Sequence, residues 1–309
     1  RKGMHALSLS GIVAQGQLSF SLQFDQSRYP GAQMQGLMAA IEGALIDIAE
    51  HCVNTERGAY VPTDFPLANV TEAELASWGQ GREVQELFPA TGMQQGLLFH
   101  SLLQSGSYVT QTELTFKGLN VGLFKQAWQE VVDRHGIFRT TFVGLESGNW
   151  HQLVLPKARL HWQELDLSAL DQDEQRIKVG AIREEDKRED FSLNEAPLMR
   201  MSLLALGDDR AIFIWSHHHA LLDGWSIPLV FDDVAAAYRA AQTGKLPQFT
   251  TVPGYRDYMA WLGEQSYDDA VDFWRTQLVN VEGETPLPFA GLRPVEKSEA
   301  VLKHSLNFT

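Results

Sequence analysis

Three consecutive histidines, His217, His218 and His219, stand just ahead of an Asp223-Gly224 pair in the stretch SHHHALLDGWS, residues 216–226. The chain holds 10 histidines and 25 glycines in 309 residues. At that composition a His-His-x-x-x-Asp-Gly arrangement arises by chance in on the order of one in a thousand such chains, so the pattern asks for a cause. Three causes compete. Core histidines are commonly satisfied by backbone hydrogen bonds and do no chemistry. A metal site could use His219 and Asp223, four positions apart, but the residues between them read as a turn and no third ligand follows at a recognisable spacing. One imidazole held in a fixed tautomer by its neighbours could instead act as a general acid or base.

The elements around the histidines decide how they are presented. AIFIWS (211–216) has the pattern of a buried strand and delivers the imidazoles at its carboxyl end, where open α/β sheets place their chemistry. Asp223-Gly224 permits a sharp turn, and Ser226 is placed to cap a helix whose inner face carries Ile227, Val230, Phe231, Val234, Ala235 and Tyr238 and which ends before Gly244. Helical spacing also marks residues 33–53, with Met34, Leu37, Met38, Ile41, Leu45, Ile48 and Cys52 on one stripe, and residues 93–104. The clearest helix is 121–136, with Phe124, Ala127, Trp128, Val131, Val132 and His135 inward and Gly136 as its stop. The charged run 171–190 reads as a solvated helix. Strands are expected at 16–24, 108–116, 137–143, 151–156, 197–206 and 210–216. Residues 54–85 carry early Gly and Pro punctuators and little periodicity, as a linker or a surface strap would. Strands interleaved with helices predict a layered α/β architecture.

The totals narrow the function. A formal charge of -14, from 25 basic and 39 acidic side chains, repels phosphate backbones and anionic lipid, so neither nucleic acid nor a membrane is an expected partner. The one cysteine, Cys52, cannot form an internal disulfide and is expected to be a small buried hydrophobe. No window approaches the ~18 apolar residues of a membrane span, and a cytoplasmic location is expected.

HHALLDG (218–224) resembles the HHxxxDG signature of the chloramphenicol-acetyltransferase-like superfamily. FPATGMQQGLLFHSLL (88–103), RHGIFRTTF (134–142) and YRDYMAWL (255–262) are similar, in the same order, to further motifs of the condensation domains of nonribosomal peptide synthetases. MQQGLLFHSLL resembles the subtype that follows an epimerization domain and joins a D-configured donor to an L-configured acceptor. Residues 1–78 are more loosely similar to the last strand, helix and tail of an epimerization or condensation domain. The implied organisation is that tail over 1–78, a linker at 79–85, and the N-terminal lobe of a condensation domain over 86–309. The implied fold is a chloramphenicol-acetyltransferase-like α/β sandwich.

The resemblance also implies roles. His219 would face the channel where two carrier-tethered substrates meet and accept the proton of the attacking amine. His218 would anchor the loop, and Asp223 would hold it through an ionic contact with an arginine such as Arg139. Gly224 would let the backbone come close and offer its N–H to the oxyanion. Gln94, His100 and Trp225 would line the channel or support it; Tyr255, Tyr258 and Trp261, by contrast, stand at helical spacing and on that ground are expected to be core. No cofactor is expected to bind directly; the substrates ride on the 4'-phosphopantetheine of upstream and downstream peptidyl carrier proteins, beside epimerization and adenylation domains of the same synthetase. Motifs of the second lobe are absent, so little or no condensation by the chain alone is expected. Rival functions are another HHxxxDG acyltransferase and a noncatalytic recruiting module.

Overall fold

The sheet that carries the histidines has the strand order β4-β9-β8-β7 in a computed structural model that describes residues 5–54, 60–79, 81–104, 106–281 and 283. Its strands are β4 (Val109–Lys117), β7 (His161–Asp166), β8 (Met199–Gly207) and β9 (Arg210–His218). β9 is the central antiparallel partner of both β4 and β8, whereas β7 runs parallel to β8. β9 is buried along nearly its whole length because helices cover both faces. On one face Phe213 and Trp215 meet Phe124, Trp128 and Val131 of α4 (Val121–Arg134) and Val230 and Val234 of α6 (Ser226–Thr243). On the other, Ile214 and Leu204 meet Val179 of α5 (Gln172–Arg188). Each such fully buried side chain stabilises the fold by roughly 1.5–3 kcal/mol. Strand alternation therefore sends His217 to the α4/α6 side with Trp215, and His218 to the opposite side.

A second, antiparallel sheet has the order β3-β6-β5, from β3 (Glu86–Pro89), β5 (Thr140–Val143) and β6 (His151–Val154). Its core takes in part of the stretch that looked like a linker or strap. Phe65, Ala68, Val70 and Leu75 pack with Val84, Leu87, Val143 and Leu153, and α2 (Glu72–Gly79) forms there. The ring nitrogens of His151 lie 2.9 and 2.7 Å from the carbonyls of Asn149 and Ala68, which ties β6 to the strap. Gly144 closes this corner at φ +74°, where a Cβ would lie 2.0 Å from the carbonyl of Asn149.

The first strands are a hairpin, β1 (Leu7–Ala14) and β2 (Gln17–Phe24). Gln15 and Gly16 both have positive φ, which suits the two-residue turn of a twisted hairpin. Register places Leu9 against Leu22 and Val13 against Leu18 on one apolar face, most of it exposed. In α1 (Gly31–Asn54) only Met34 is buried. Cys52, expected inside, is exposed, since none of the described residues buries that end of the stripe.

Several expected boundaries shift. α4 ends without a left-handed glycine: His135 caps it, and Gly136–Arg139 form a 3-10 turn, which shortens the expected strand 137–143 to β5. Trp225, not Ser226, is the N-cap of α6, and Gly244 closes that helix at φ +64°. β1 and β7 were not legible in the sequence. α3 (Gly92–Leu103) begins at a capping box formed by Thr91 and Gln94.

The chain divides into two compact units, Arg1–Val252 and Pro253–Thr309. In the second, Tyr255, Tyr258 and Trp261 of α7 (Tyr255–Gly263) are exposed, not core. Their spacing puts them on one helix face, where they cover one another with ring centroids 5.7 and 6.0 Å apart. Helix α8 (Tyr267–Gln277) follows. Among the described residues no helix is long and apolar enough to cross a membrane.

Candidate active site

The loop after β9 is held from both neighbouring strands. The N–H of His218 donates to the carbonyl of Leu198, and that of His219 to the carbonyl of Tyr108 at the start of β4. Leu221 N–H returns to the carbonyl of His218, closing a turn. Gln94 of α3, buried, donates to Ala220 O at 3.3 Å and to Gln152 Oε1 of β6 at 2.9 Å. Sheet, helix and turn thus fix the backbone on either side of residue 219.

The ring hydrogen bonds decide the tautomers. His219 Nδ1 lies 2.8 Å from Leu222 O. A carbonyl only accepts, so Nδ1 carries the hydrogen, and in the neutral ring Nε2 keeps its lone pair. That ring is only partly buried. Its neighbour is the opposite case: His218 is 3% exposed, its Nδ1 accepts from Ala220 N–H, and its Nε2 faces Ser101 Oγ at 2.8 Å. Burial, and next the nearby ring of His219, push the His218 pKa down to about 4. Burial does the same to His217, again to about 4. His217 lies against Trp215, ring centroids 4.6 Å apart, and neither of its nitrogens has a hydrogen-bond partner among the described residues. Of the three histidines, only His219 is partly exposed; His217 and His218 are buried.

The Asp223 carboxylate, two residues before the N-cap Trp225, holds the first residue of the next helix: Oδ1 accepts from the N–H and the hydroxyl of Ser226 at 2.9 and 2.6 Å. Those bonds, the hydroxyl's first, lower its pKa. The expected pair with Arg139 does not form. Arg139 is buried elsewhere, donating to the carbonyls of Val132 and Leu155 and to Gln85 Oε1, because the 3-10 turn at 136–139 points it between β3, β6 and the end of α4. Gly224 has no positive φ, and among the described residues a Cβ there would meet nothing within 4 Å, so none of them demands glycine. Trp225 beside it is 88% exposed. His100 is exposed and packs edge-on to Phe99 and near Tyr108, the residue whose carbonyl holds His219. The structure therefore gathers Gln94, His218, His219 and Asp223 around one turn and leaves Arg139 out of it.

Ser101, Gln152 and the carbonyls of Tyr108 and Leu222 were not singled out from the sequence. Ser101 sits seven positions after Gln94 on the same helix face, which was a usable signal; the carbonyls have none. A cleft of about 1230 Å³ runs from Trp78 and Arg82 past Phe142 and Phe191 to Ser101 and His218. Among the described residues no group of three metal-ligating side chains is gathered.

A model of the condensation-domain family matches residues 84–305. One of the linear gramicidin synthase proteins of Brevibacillus parabrevis is 35% identical over 309 residues, 99% of this chain and 4% of that protein. Among solved structures, the X-domain in complex with OxyB from teicoplanin biosynthesis is 26% identical, with a TM-score of 0.56 over 67% of this chain and 46% of that one. The first condensation domain of the calcium-dependent antibiotic synthetase, solved with a substrate analogue, shares the fold at 18% identity and a TM-score of 0.54, over 62% of this chain and 48% of that one. The chain thus spans a small part of the curated relative and about half of the solved neighbours.

Proposed function

Given that the chain belongs to the condensation-domain family, we propose that it carries the histidine-bearing half of a unit that forms peptide bonds in nonribosomal synthesis. The acceptor's α-amine, tethered by thioester to a downstream carrier's 4'-phosphopantetheine, attacks the thioester carbon of an upstream donor. His219 Nε2 accepts the amine proton as the C–N bond forms, the C–S bond breaks, and the proton leaves with the donor's thiol. Gly224 N–H is the candidate donor to the oxygen that becomes negative. The observation that carries this reading is the Nδ1–H bond of His219 to Leu222 O, which keeps Nε2 an acceptor. General bases so placed contribute roughly 10²–10⁴-fold.

The 93–103 motif supports a D-configured donor and hence an epimerization domain upstream. Residues 1–78 fit the tail of that preceding domain, with 79–85 as the linker: the match to the gramicidin synthase protein runs through them, and the β1–β2 hairpin leaves Val13 and Leu18 exposed, as a piece of a larger sheet would. Because the chain spans about half of its solved structural neighbours, a condensation domain among them, the 309 residues alone are expected to form no peptide.

The test is reconstitution with both carriers loaded as aminoacyl thioesters and mass spectrometry of the acceptor carrier. Peptidyl acceptor from the intact synthetase module, and none from the 309-residue chain, supports the reading. A module inactive with every donor would favour the second reading, a partner-binding domain, which the X-domain's complex with OxyB suggests.

A further inference from the structure

We infer that Ser101 of α3 is a positioning residue for the condensation step: its hydroxyl fixes the His218 ring, and through it the peptide that aims His219. This rests on His219 being the base.

Every hydrogen in the relay has one permitted direction. Ser101 Oγ lies 2.9 Å from Leu97 O, one turn back on α3, and a carbonyl only accepts, so the hydroxyl hydrogen points there. The lone pairs of Ser101 are then free for His218 Nε2, 2.8 Å away, which must donate. His218 Nδ1 is correspondingly bare, and it accepts from Ala220 N–H at 3.1 Å. The other end of residue 220, its carbonyl, is held by Gln94 Nε2 at 3.3 Å. One helix, α3, thus grips residue 220 twice, through Ser101 and His218 at its nitrogen and through Gln94 directly at its oxygen.

Residue 219 lies between His218, whose ring Ser101 holds, and residue 220. Its ring orientation depends on Leu222 O staying 2.8 Å from Nδ1, and that carbonyl belongs to the same turn. Burial holds the His218 ring neutral down to a pKa of about 4, so the relay keeps one arrangement across neutral pH. Removing the Ser101 hydroxyl leaves a buried imidazole N–H without its acceptor. The ring's cheapest response is to rotate toward another partner, which releases Ala220 N–H and loosens the turn.

Long-range ¹⁵N–¹H spectra of the histidine-labelled 309-residue chain read the tautomers without any need for peptide formation. The parent is expected to show Nε2–H at His218 and Nδ1–H at His219. Ser101→Ala is expected to turn the single His219 tautomer into an exchanging mixture while backbone amide signals outside 94–104 and 216–226 stay in place; Ser101→Thr, which keeps the hydroxyl, restores the parent spectrum. In the synthetase module, Ser101→Ala should lower kcat about tenfold or more with the KM for both loaded carriers unchanged, since small misplacements of a reacting group act on the chemical step, and Ser101→Thr should recover it. An Nδ1–H tautomer at His218 in the parent overturns the proposal, as does a Ser101→Ala chain whose His219 spectrum matches the parent's, or an active module whose kcat is indifferent to Ser101→Ala. A parent module that makes no peptide overturns the functional reading alone, and the spectra still decide the role of Ser101.

Discussion

The carboxylate of Asp233 on α6 lies 2.7 Å from Nε2 of His135, the residue that caps α4. Arg134 reaches the same oxygen through Nε at 3.1 Å, stacks its guanidinium 4.4 Å from the ring of Phe249, and donates to Thr250 O. The Arg-His pair of the 134–142 motif is therefore a clasp between α4 and α6, the helix that starts directly after the turn bearing His219.

Asp233→Asn keeps the shape and removes the charge from this partly buried cluster. It should lower stability by about 1–3 kcal/mol, the cost of weakening a charged hydrogen bond shielded from water. The denaturation midpoint in urea at pH 7.5 measures it. An unchanged midpoint would mean that the clasp carries no load.

Arg139 and Asp223 are anchored separately, so their effects should add. Arg139→Ala strips donors from the buried carbonyl of Val132 and the part-buried carbonyl of Leu155 and should cost about 1–3 kcal/mol; Asp223→Ala removes a cap-type bond and should cost about 1 kcal/mol. Their double-mutant coupling should stay within about 0.5 kcal/mol. A larger coupling would show that the two do pair.

Acid should destabilise the chain in a defined window. His217 and His218 have ordinary values of 6.5 and folded values of about 4. Between those values the unfolded chain holds the protons and the folded chain does not, so stability rises with pH across the window. The contribution is full above 6.5 and is lost as pH falls toward 4. Urea midpoints from about pH 7.5 to about 4.5 follow it. His217→Phe should make the slope shallower and, since the buried ring forms no hydrogen bond with the described residues, raise stability at neutral pH by about 1 kcal/mol. A pH slope as steep as the parent's would contradict the buried neutral ring.

How much of this was legible before the structure follows the physics of each feature. β9 and α4 were readable because burial on one or both faces leaves a period in the sequence. The candidate base was readable because chance does not explain the histidine run. β7 has no such period: it is a six-residue edge strand with mostly exposed side chains. The strap at 60–79 looked structureless since its buried residues, Phe65, Ala68, Val70 and Leu75, follow no fixed spacing and gain their partners from β3, β5 and β6. The Arg139 partner was misjudged because a 3-10 turn replaces the first residues of a strand and redirects the side chain. The carbonyl of Leu222, which sets the tautomer of His219, is a backbone atom, and no residue type announces it.

The central claim is that Nε2 of His219 accepts the proton of the attacking amine. The most direct measurement is the single-turnover rate of peptide transfer between loaded carriers in the intact module, for the parent and for His219→Ala, with carrier affinity measured alongside. The rate should fall by roughly 10²–10⁴-fold while both carriers bind as before. A His219→Ala module that transfers the peptide at a rate within about twofold of the parent, again judged against that contribution, would contradict it.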